Sequence, residues 1–340
     1  MLSRKEDTMD KKKNELEGSR VLITGGAGLI GSHIADQLVL KGVKEIVILD
    51  NFTRGRRDNL EWAESVGNIR IIEGDIRDPE MMNECTKGID YIFHQAALRI
   101  TACAEYPRGA LNVLDNGTFN VVEAAAHNNV KKIVAASSAS VYGMAEVFPT
   151  PEGHHPYNNE TLYGAFKLAN EAVLKAFHSM YGLEYTALRY FNVYGPRMDI
   201  FGVYTEVMIK WLDAIDNWVQ PQIYGDGSQT MDFIYVGDVA RANIMAMETP
   251  GINRALNIGT GKETSLLELL NLMLSITGSN LKPEFKPERK VNPVRRRLAD
   301  VSLAEKLIRF KAQVPLRDGL SELIKWRQAI KDAAVKLVLK

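Results

Sequence analysis

Short apolar runs alternate with longer amphipathic stretches through the first 195 residues of the chain. Apolar runs lie at 21–23, 45–49, 69–72, 90–94, 132–136 and 185–189. The stretch at 106–129 repeats apolar residues three and four positions apart, as a helix with one buried face requires, and a second long helix is expected at 161–181. Strands and helices in alternation predict an α/β fold with a doubly wound parallel sheet.

The alternation becomes irregular beyond about residue 195, which predicts a smaller second domain of α/β type. Its pattern contains a helix near 203–217, a glycine-rich turn at 224–228, a strand at 231–235 and a helix near 264–277. A helix that begins at 236–240 is expected to return to the larger domain, over about 235–250. The predicted division is a flexible polar tail at 1–19, a larger domain at 20–194 and a smaller one at 195–340.

Composition narrows the class of protein. Lys plus Arg equals Asp plus Glu at 42 each, which gives no sign of a nucleic-acid or membrane-surface partner. No apolar run approaches the ~18 residues of a membrane span. Two cysteines are too few for a disulfide framework, and His154 and His155 have no further ligands at a metal-binding spacing. We therefore expect a cytoplasmic protein without a metal centre.

The first apolar run leads into a glycine-rich turn and then a helix. Gly25, Gly28 and Gly31 are three residues apart, and Leu29 and Ile30 open the helix. The first two glycines let backbone N–H groups approach a phosphate, and the third lets the helix pack on the strand. The helix N-terminus then faces an anion. A glycine pattern alone also fits an ordinary strand–turn–helix, but its context predicts a Rossmann-type dinucleotide site.

Asp50 ends the second strand, about twenty residues after the glycines, where a carboxylate meets the adenosine ribose of a dinucleotide. It would repel a 2′-phosphate, which favours NAD over NADP, although Arg54, Arg56 and Arg57 keep NADP as an alternative. Arg54 is either a cofactor contact or a solvated loop charge. Asp75, after the third strand, can reach the adenine amino group. The remaining candidate cofactor contacts are Asn51, Ile76, Gln95, Ala96, Ala97 and Tyr190.

Tyr163 and Lys167 are the most specific chemical signal in the chain. Four positions apart on a helix, they share a face and can point into the same cleft. The lysine charge and a positive nicotinamide ring would lower the pKa of the tyrosine towards neutrality, and the lysine can hold the nicotinamide ribose. Ser138, at a strand end, can donate or relay a hydrogen bond to the substrate oxygen. Ser137 and Ser140 compete with it for that role.

The chain resembles the extended short-chain dehydrogenase/reductases. The resemblance rests on the runs at 25–31, 137–143 and 189–197, on Asp50 and Asn51, and on the Tyr163–Lys167 pair. Within this family the match is to the NAD-dependent nucleotide-sugar epimerase/dehydratase group, over about residues 20–325. The resemblance implies that Ser138, Tyr163 and Lys167 are catalytic. Tyr163 would take a proton from the sugar 4-hydroxyl while hydride leaves for NAD and later returns to the other face.

The resemblance also implies a substrate site in the smaller domain. Asn192 would lie near the diphosphate of the sugar nucleotide, and Arg99 near both cofactor and substrate. One arginine of 295–297 would neutralise the diphosphate, and Arg295 is our candidate, although this cluster is equally a solvated basic patch. Tyr224, in the glycine-rich turn, completes the candidate substrate contacts.

Four departures from the family pattern bear on substrate and reaction. Dehydratases and decarboxylases usually carry an acid after the Ser or Thr, where this chain has Ala139 and Ser140, and this favours simple epimerisation. Leu114 and Met231 replace a usual Asn and a usual Arg. One contact to the diphosphate or the base is therefore missing or relocated.

The resulting hypothesis is a nucleotide-sugar 4-epimerase acting on a UDP-hexose, a UDP-N-acetylhexosamine or a UDP-hexuronate. One alternative is a dehydratase, decarboxylase or 4-keto-reductase on a nucleotide sugar. Another is a non-catalytic NAD-binding module, which would not need Ser138, Tyr163 and Lys167 together. The helices at 106–129 and 161–181 suit a homodimer contact, although burial against their own sheet explains the same pattern.

Overall fold

Seven parallel strands form the central sheet of the protein in the computed structural model, which describes residues 15–200, 205–288 and 294–338. These strands are β1 (Arg20–Thr24), β2 (Glu45–Asp50), β3 (Ile69–Glu73), β4 (Tyr91–His94), β5 (Lys132–Ser138), β6 (Glu184–Tyr190) and β11 (Arg254–Ile258). Smaller sheets contain β7 (Asn192–Tyr194), β8 (Gln222–Tyr224), β9 (Thr230–Met231), β10 (Phe233–Tyr235), β12 (Thr264–Ser265), β13 (Glu284–Lys286) and β14 (Arg296–Arg297). The order in the sheet is β11-β6-β5-β4-β1-β2-β3, so the chain winds outward from β1 in both directions. The predicted Rossmann-type, doubly wound sheet is confirmed.

Helices cover both faces of this sheet. The helices of the described residues are α1 (Leu29–Leu40), α2 (Glu61–Val66), α3 (Pro79–Thr86), α4 (Ile100–Glu105), α5 (Pro107–Ala110), α6 (Thr118–His127), α7 (Leu162–Tyr181), α8 (Val207–Asp216), α9 (Val236–Glu248), α10 (Leu266–Thr277), α11 (Ser302–Ile308) and α12 (Leu316–Val338). Of these, α8, α10 and α12 belong to the smaller unit. One face is packed by Ile34 of α1 and Val239 of α9, the other by Met82 of α3 and Val121 of α6. Burial on both faces explains why the strands are nearly continuous apolar runs.

The helix α7 has clear signals at both ends. The Thr161 hydroxyl accepts a hydrogen bond from the Gly164 amide at 3.1 Å and so caps the N-terminus. Gly182 ends the helix in the left-handed region at φ 75°, where a residue without a side chain is favoured. These caps place Tyr163 in the first turn of the helix.

The helix predicted at 106–129 is divided into three parts. α5 and α6 are joined by a π-helical segment, Leu111–Gly117. Leu114 and Gly117 are buried within it, so the apolar stripe still faces inward. A π-helical segment widens the turn without moving this stripe to solvent, and the sequence pattern therefore does not reveal it.

The smaller unit has its own apolar core, which includes Trp211, Ile223, Leu270 and Leu320. Three small sheets surround it, in which β7 pairs with β10, β8 with β13, and β9 with both β12 and β14. The helix predicted from residue 203 begins at Val207. Residues 203 and 204 lie outside the described residues.

The prediction of a single strand at 231–235 is wrong. β9 ends at Met231 and β10 begins at Phe233, in a different sheet. Asp232 between them is fully buried and accepts hydrogen bonds from the amides of Thr260 at 2.8 Å and Gly261 at 2.9 Å. A buried carboxylate needs such donors, and reaching them interrupts the strand.

Residues 15–19 belong to the fold, although the sequence placed them in a polar tail. The Leu16 side chain is fully buried, and the Ser19 hydroxyl donates to the Leu16 carbonyl at 2.6 Å. Residues 1–14 lie outside the described residues. Beyond residue 195 the chain comes back to the large sheet, where α9 packs against α1 and β11 pairs with β6.

None of the helices in the described ranges is long and apolar enough to cross a membrane. Across the same ranges, no three His, Cys, Asp or Glu side chains gather as a metal site. Cys85 and Cys103 are both free and buried.

Candidate active site

A cavity of about 2040 Å³ opens between the carboxyl ends of the central strands and the smaller unit. It is the place where open parallel sheets bind ligands. The candidate residues that line it are Gly25, Gly28, Leu29, Ile30, Gly31, Asp50, Asn51, Arg54, Asp75, Ile76, Gln95, Ala96, Ala97, Arg99, Ser138, Tyr163, Tyr190, Asn192 and Tyr224. Two candidates, Lys167 and Arg295, are not on its wall.

The glycine-rich turn forms a backbone cradle at one end of the cavity. Gly25 has a φ of 67°, and a Cβ built on it would lie 2.7 Å from the Ala96 amide nitrogen. A Cβ on Gly31 would lie 2.7 Å from the Gly26 Cα. Side chains are excluded at both positions, which leaves exposed amides and the N-terminus of α1 free to face a phosphate.

Asp50 is held in place by the backbone beside this cradle. Its Oδ2 accepts a hydrogen bond from the Ala27 amide at 2.9 Å, and its Oδ1 accepts one from the Phe52 amide at 2.9 Å. Burial raises the pKa of this carboxyl, and the two amides act against the rise. Because Asp50 is 8% exposed and lines the cavity, its orientation towards a ribose is fixed before any ligand enters.

The three arginines that left NADP as an alternative all have carboxylate partners. Arg54 lies 3.2 Å from Asp199, Arg56 pairs with Asp58, and Arg57 lies 3.3 Å from Glu64. The loop charge of Arg54 is therefore compensated from the segment that follows β7. This arrangement favours NAD further, because a 2′-phosphate would have to compete with these carboxylates.

Asp75 is engaged from two sides at the adenosine end of the cavity. Arg77 donates to both of its oxygens at 2.8 Å, and the Asn51 amide group donates to Oδ2 at 2.8 Å. The side-chain hydrogen bonds from Arg77 are the main reason that the pKa of Asp75 falls to about 2. Asp75 is therefore a fixed anion at neutral pH, able to accept a hydrogen bond from an amino group.

Ser138 and Tyr163 are brought together at the centre of the cavity. The Ser138 Oγ accepts a hydrogen bond from the Ser140 amide at 3.1 Å, and the same hydroxyl lies near enough to the Tyr163 phenol to lower its pKa. Ser137 turns to the opposite face of β5, where its hydroxyl donates to Glu171 at 2.5 Å. Successive residues of a strand alternate between faces, so the Glu171 contact of Ser137 favours Ser138 as the partner of Tyr163. Ser137 and Ser140 also line the cavity, and the role of Ser138 stays a prediction.

Lys167 lies behind the cavity wall. Its Nζ donates to the Ala136 carbonyl at 2.7 Å and is 5.9 Å from the centre of the Tyr163 ring. The side chain is 2% exposed, and burial lowers its pKa to about 8. The expectation that both side chains open into the cleft is therefore met by Tyr163 and not by Lys167, which supports the ring from beneath.

The protein groups alone do not bring the pKa of Tyr163 towards neutrality. Burial raises it to about 12, and the hydrogen bond from Ser138 acts in the opposite direction. The nearby Cys103 and Glu206 oppose ionisation as well. A further positive charge at the ring, such as an oxidised nicotinamide, is what this geometry would need for base catalysis.

Of the two arginines, Arg297 lines the cavity and Arg295, the predicted diphosphate contact, does not. Arg295 is 73% exposed in its side chain and pairs with Glu288 at 3.0 Å, whereas Arg297 lines the cavity. Burial lowers the pKa of Arg297 to about 10, and its Nη1 donates to the Ala139 carbonyl at 2.7 Å. Among the described residues, no carboxylate forms an ion pair with Arg297. A half-buried cation that lacks an ion-pair partner is suited to an anionic ligand.

Two of the other substrate candidates, Arg99 and Asn192, lie on different elements at the cavity wall. Arg99, after β4, lies 3.4 Å from Glu206 at the start of α8. Asn192, on β7, donates through its side chain to the Asp232 carbonyl at 3.2 Å. Sequence reasoning missed Asp199 and Glu206, which line the cavity. Their signal was weak, because acids in an irregular segment after a strand end carry no fixed spacing.

Comparison with known proteins agrees with this geometry. Residues 21–259 match the model of the NAD dependent epimerase/dehydratase family. The chain belongs to that family. Its glycine cradle and fixed Asp50 fit NAD, the cofactor on which family members depend.

Individual family members resemble this chain over nearly their whole length. A putative UDP-glucose 4-epimerase of Methanocaldococcus jannaschii is 38% identical, over 90% of this chain and 97% of its own. The structure of a UDP-N-acetylglucosamine 4-epimerase from Methanobrevibacter ruminantium M1, in complex with UDP-N-acetylmuramic acid, is 35% identical with a TM-score of 0.87. The match covers 92% of the present chain and 99% of the Methanobrevibacter ruminantium chain. A UDP-N-acetyl-alpha-D-glucosaminuronate decarboxylase of Bacillus cytotoxicus is 34% identical, over 92% of this chain and 99% of its own.

Proposed function

We propose that the protein is an NAD-dependent 4-epimerase of a UDP-linked sugar. The observation that carries this proposal is that Ser138 and Tyr163 line the same cavity as the glycine cradle. The half-buried Arg297 at the same cavity, which pairs with no carboxylate of the described residues, supports a diphosphate-bearing substrate. Two of the relatives described above are named 4-epimerases of UDP-glucose and UDP-N-acetylglucosamine.

Each catalytic candidate has a role that its contacts support. Tyr163 accepts the proton of the sugar 4-hydroxyl at its phenolic oxygen and gives it back to the epimeric oxygen. Ser138 donates a hydrogen bond beside it, and its oxygen is held in place by the bond that it accepts from the Ser140 amide. Lys167 keeps a positive charge below the ring and so favours the phenolate. Bound NAD supplies the reversible hydride acceptor at C4.

The absence of an acid at residue 139 supports epimerisation. Ala139 is 3% exposed, and its carbonyl is engaged by Arg297. Elimination needs a proton donor or acceptor placed beside the sugar ring at this point. Decarboxylation remains the second candidate, favoured by the Bacillus cytotoxicus relative.

The remaining parts of the proposal concern assembly and location. Residues 20–194 act mainly on the cofactor, and 195–340 mainly on the substrate. The outer face of α7 carries exposed Leu162, Ala165, Ala172 and Ala176, with Phe119 of α6 exposed nearby. Such a face suits a homodimer contact.

The two cysteines, both free and buried, support a location in the reducing cytoplasm.

The proposal is tested by incubating the purified protein with UDP-glucose, UDP-N-acetylglucosamine and UDP-glucuronate without added cofactor. Appearance of the 4-epimer without net NADH is the expected result. A decarboxylated or dehydrated product would replace the proposal by the second candidate, and failure to turn over any nucleotide sugar would favour a binding module. Tyr163→Phe removes the proton acceptor, so it should abolish turnover while NAD stays bound.

A further inference from the structure

A chain of buried polar contacts lies beneath the cavity floor. The Ser137 hydroxyl donates to Glu171 Oε1 at 2.5 Å, and Arg189 donates to the same carboxylate at 2.9 Å and 2.7 Å through Nε and Nη2. The two charged side chains are 9% and 11% exposed. The pair is therefore bidentate, largely dry and joined directly to the strand that carries Ser138.

The guanidinium has partners on its other side as well. Arg189 Nη1 donates to the Tyr142 hydroxyl at 2.9 Å and to the Glu152 carbonyl at 2.9 Å. Tyr142 in turn donates to Asn257 Oδ1 at 2.6 Å. The network thus ties together α7, β5, β6, β11 and the turn after β5, all of which end near the cavity.

Each member of the ion pair is close in the chain to a residue of the site. Glu171 lies one helical turn after Lys167 and two turns after Tyr163 on α7. Arg189 directly precedes Tyr190, which lines the cavity. A shift of α7 by a fraction of a turn would move Tyr163 away from Ser138, and the pair resists that shift.

The charge of the pair also acts on Lys167. Glu171 raises the pKa of Lys167 against the effect of burial. The other groups that act on or lie near this ammonium are Cys103 of α4, His94 of β4 and Tyr163 of α7. The titratable groups near the Glu171 carboxylate are Arg189 and Tyr185 of β6, and Tyr142.

We propose that the Glu171–Arg189 ion pair is a positioning element of the active site. It fixes how α7 packs against β5, and it keeps the local charge beside Lys167 neutral. Its kinetic consequences rest on the proposed 4-epimerase function. Its electrostatic consequences do not, because they concern the ionisation of Tyr163 and Lys167 themselves.

The sign of the electrostatic effect follows from charge balance. Glu171→Gln leaves the Arg189 cation uncompensated, and an added positive charge lowers the pKa of both Tyr163 and Lys167. Arg189→Gln leaves the carboxylate uncompensated and raises both. The double variant removes both charges and should return both pKa values towards those of the native protein. A role confined to folding predicts no such reversal of sign.

The kinetic test measures kcat and KM for the UDP-sugar across pH. Glu171→Gln should lower kcat on the order of 10- to 100-fold, since a small misplacement of a reacting group has effects of this size, while KM changes little. Its pH profile should move to lower pH, that of Arg189→Gln to higher pH, and Glu171→Asp should restore the native profile. The matched control is Asp238→Asn, which breaks a buried ion pair with Arg241 away from the cavity wall.

A second readout is independent of turnover. The phenolate absorbance of the NAD-loaded protein is titrated, and the same titration of each Tyr163→Phe counterpart is subtracted, which isolates Tyr163. Opposite shifts in the two single variants support the inference even if no sugar is converted, in which case only the proposed function fails. Native-like titrations in both, or equal shifts in one direction, overturn it. If Glu171→Gln does not fold, Arg189→Gln should still raise the pKa of Tyr163 while Glu171→Asp leaves it as in the native protein, and no rise in Arg189→Gln overturns the inference.

Discussion

The backbone of Gly31 in α1 lies directly against that of Gly25 in the preceding turn. A Cβ on Gly31 would lie 2.7 Å from the Gly26 Cα and nearer still to the Gly25 carbonyl oxygen. Both neighbours are backbone atoms that cannot rotate away. The contact fixes how closely the first helix approaches the first strand, and with it the position of the amides that would hold the cofactor phosphates.

Gly31→Ala should therefore impair cofactor binding and stability together. Overpacking of this kind costs about 1–3 kcal/mol, so the thermal midpoint should fall and the purified protein should lose most of its NAD. Gly153→Ala is the matched control, because a Cβ there meets nothing within 4 Å. Equal NAD content in the two variants would contradict the close-packing account.

Asp50→Asn should weaken the preference for NAD over NADP. The carboxylate holds the Ala27 and Phe52 amides and would also meet the ribose. Losing a charged hydrogen-bond acceptor costs about 1.5–3 kcal/mol, so NAD affinity should fall by about tenfold or more and NADP should begin to bind. Isothermal titration with both cofactors measures this. Glu64→Gln, which removes the partner of the exposed Arg57, should leave both affinities unchanged.

Substitutions of Arg297 and Arg295 should change KM for the UDP-sugar by very different amounts. Arg297→Met removes a half-buried cation from the cavity wall, and KM for the UDP-sugar should rise on the order of 10- to 100-fold. Arg295→Met removes an exposed partner of Glu288, and surface pairs of this type contribute little. Steady-state kinetics on both variants provide the comparison. A larger KM effect at Arg295 would remove Arg297 from its proposed role.

His94 should make the protein sensitive to acid. It is buried between the hydroxyls of Thr24 at 2.7 Å and Thr118 at 3.0 Å, and burial lowers its pKa from 6.5 to about 3. Between these values the unfolded chain binds a proton that the folded protein does not. The free energy of unfolding should then fall by up to about 1.4 kcal/mol per pH unit as pH drops below the unfolded pKa.

Urea unfolding of the native protein and of His94→Gln, across the range from neutral pH down to about pH 5, tests this linkage. The variant should be less stable at neutral pH but lose less stability on acidification. A parallel loss of stability in both proteins would place the acid sensitivity elsewhere.

Local patterns were enough to predict the parts of the molecule that depend on short-range geometry. The glycine turn, the strand ending in Asp50, and Tyr163 and Lys167 on one helix each follow from spacing within a single element. The break at Asp232 could not be predicted, because its cause is a set of amide donors about thirty residues away, at Thr260 and Gly261.

The choice among three consecutive arginines shows the same limit. Arg296 pairs with Glu263 at 2.6 Å outside the cavity, and Arg297 points into it, because neighbouring residues of β14 face opposite ways. Only the pairing of β14 with β9 decides which of them faces the ligand. The position of Lys167 behind the wall likewise depends on the Ala136 carbonyl of another strand.

Isotope retention tests the central claim most directly. A UDP-sugar substrate deuterated at C4 is incubated with the purified protein, and the product is analysed by mass spectrometry and proton NMR. If Tyr163 moves the proton while the hydride leaves and returns within one cavity, the 4-epimer should keep its deuterium at C4 and no NADH should be released. Loss of the label to solvent, or recovery of a keto, dehydrated or decarboxylated product, would contradict the account.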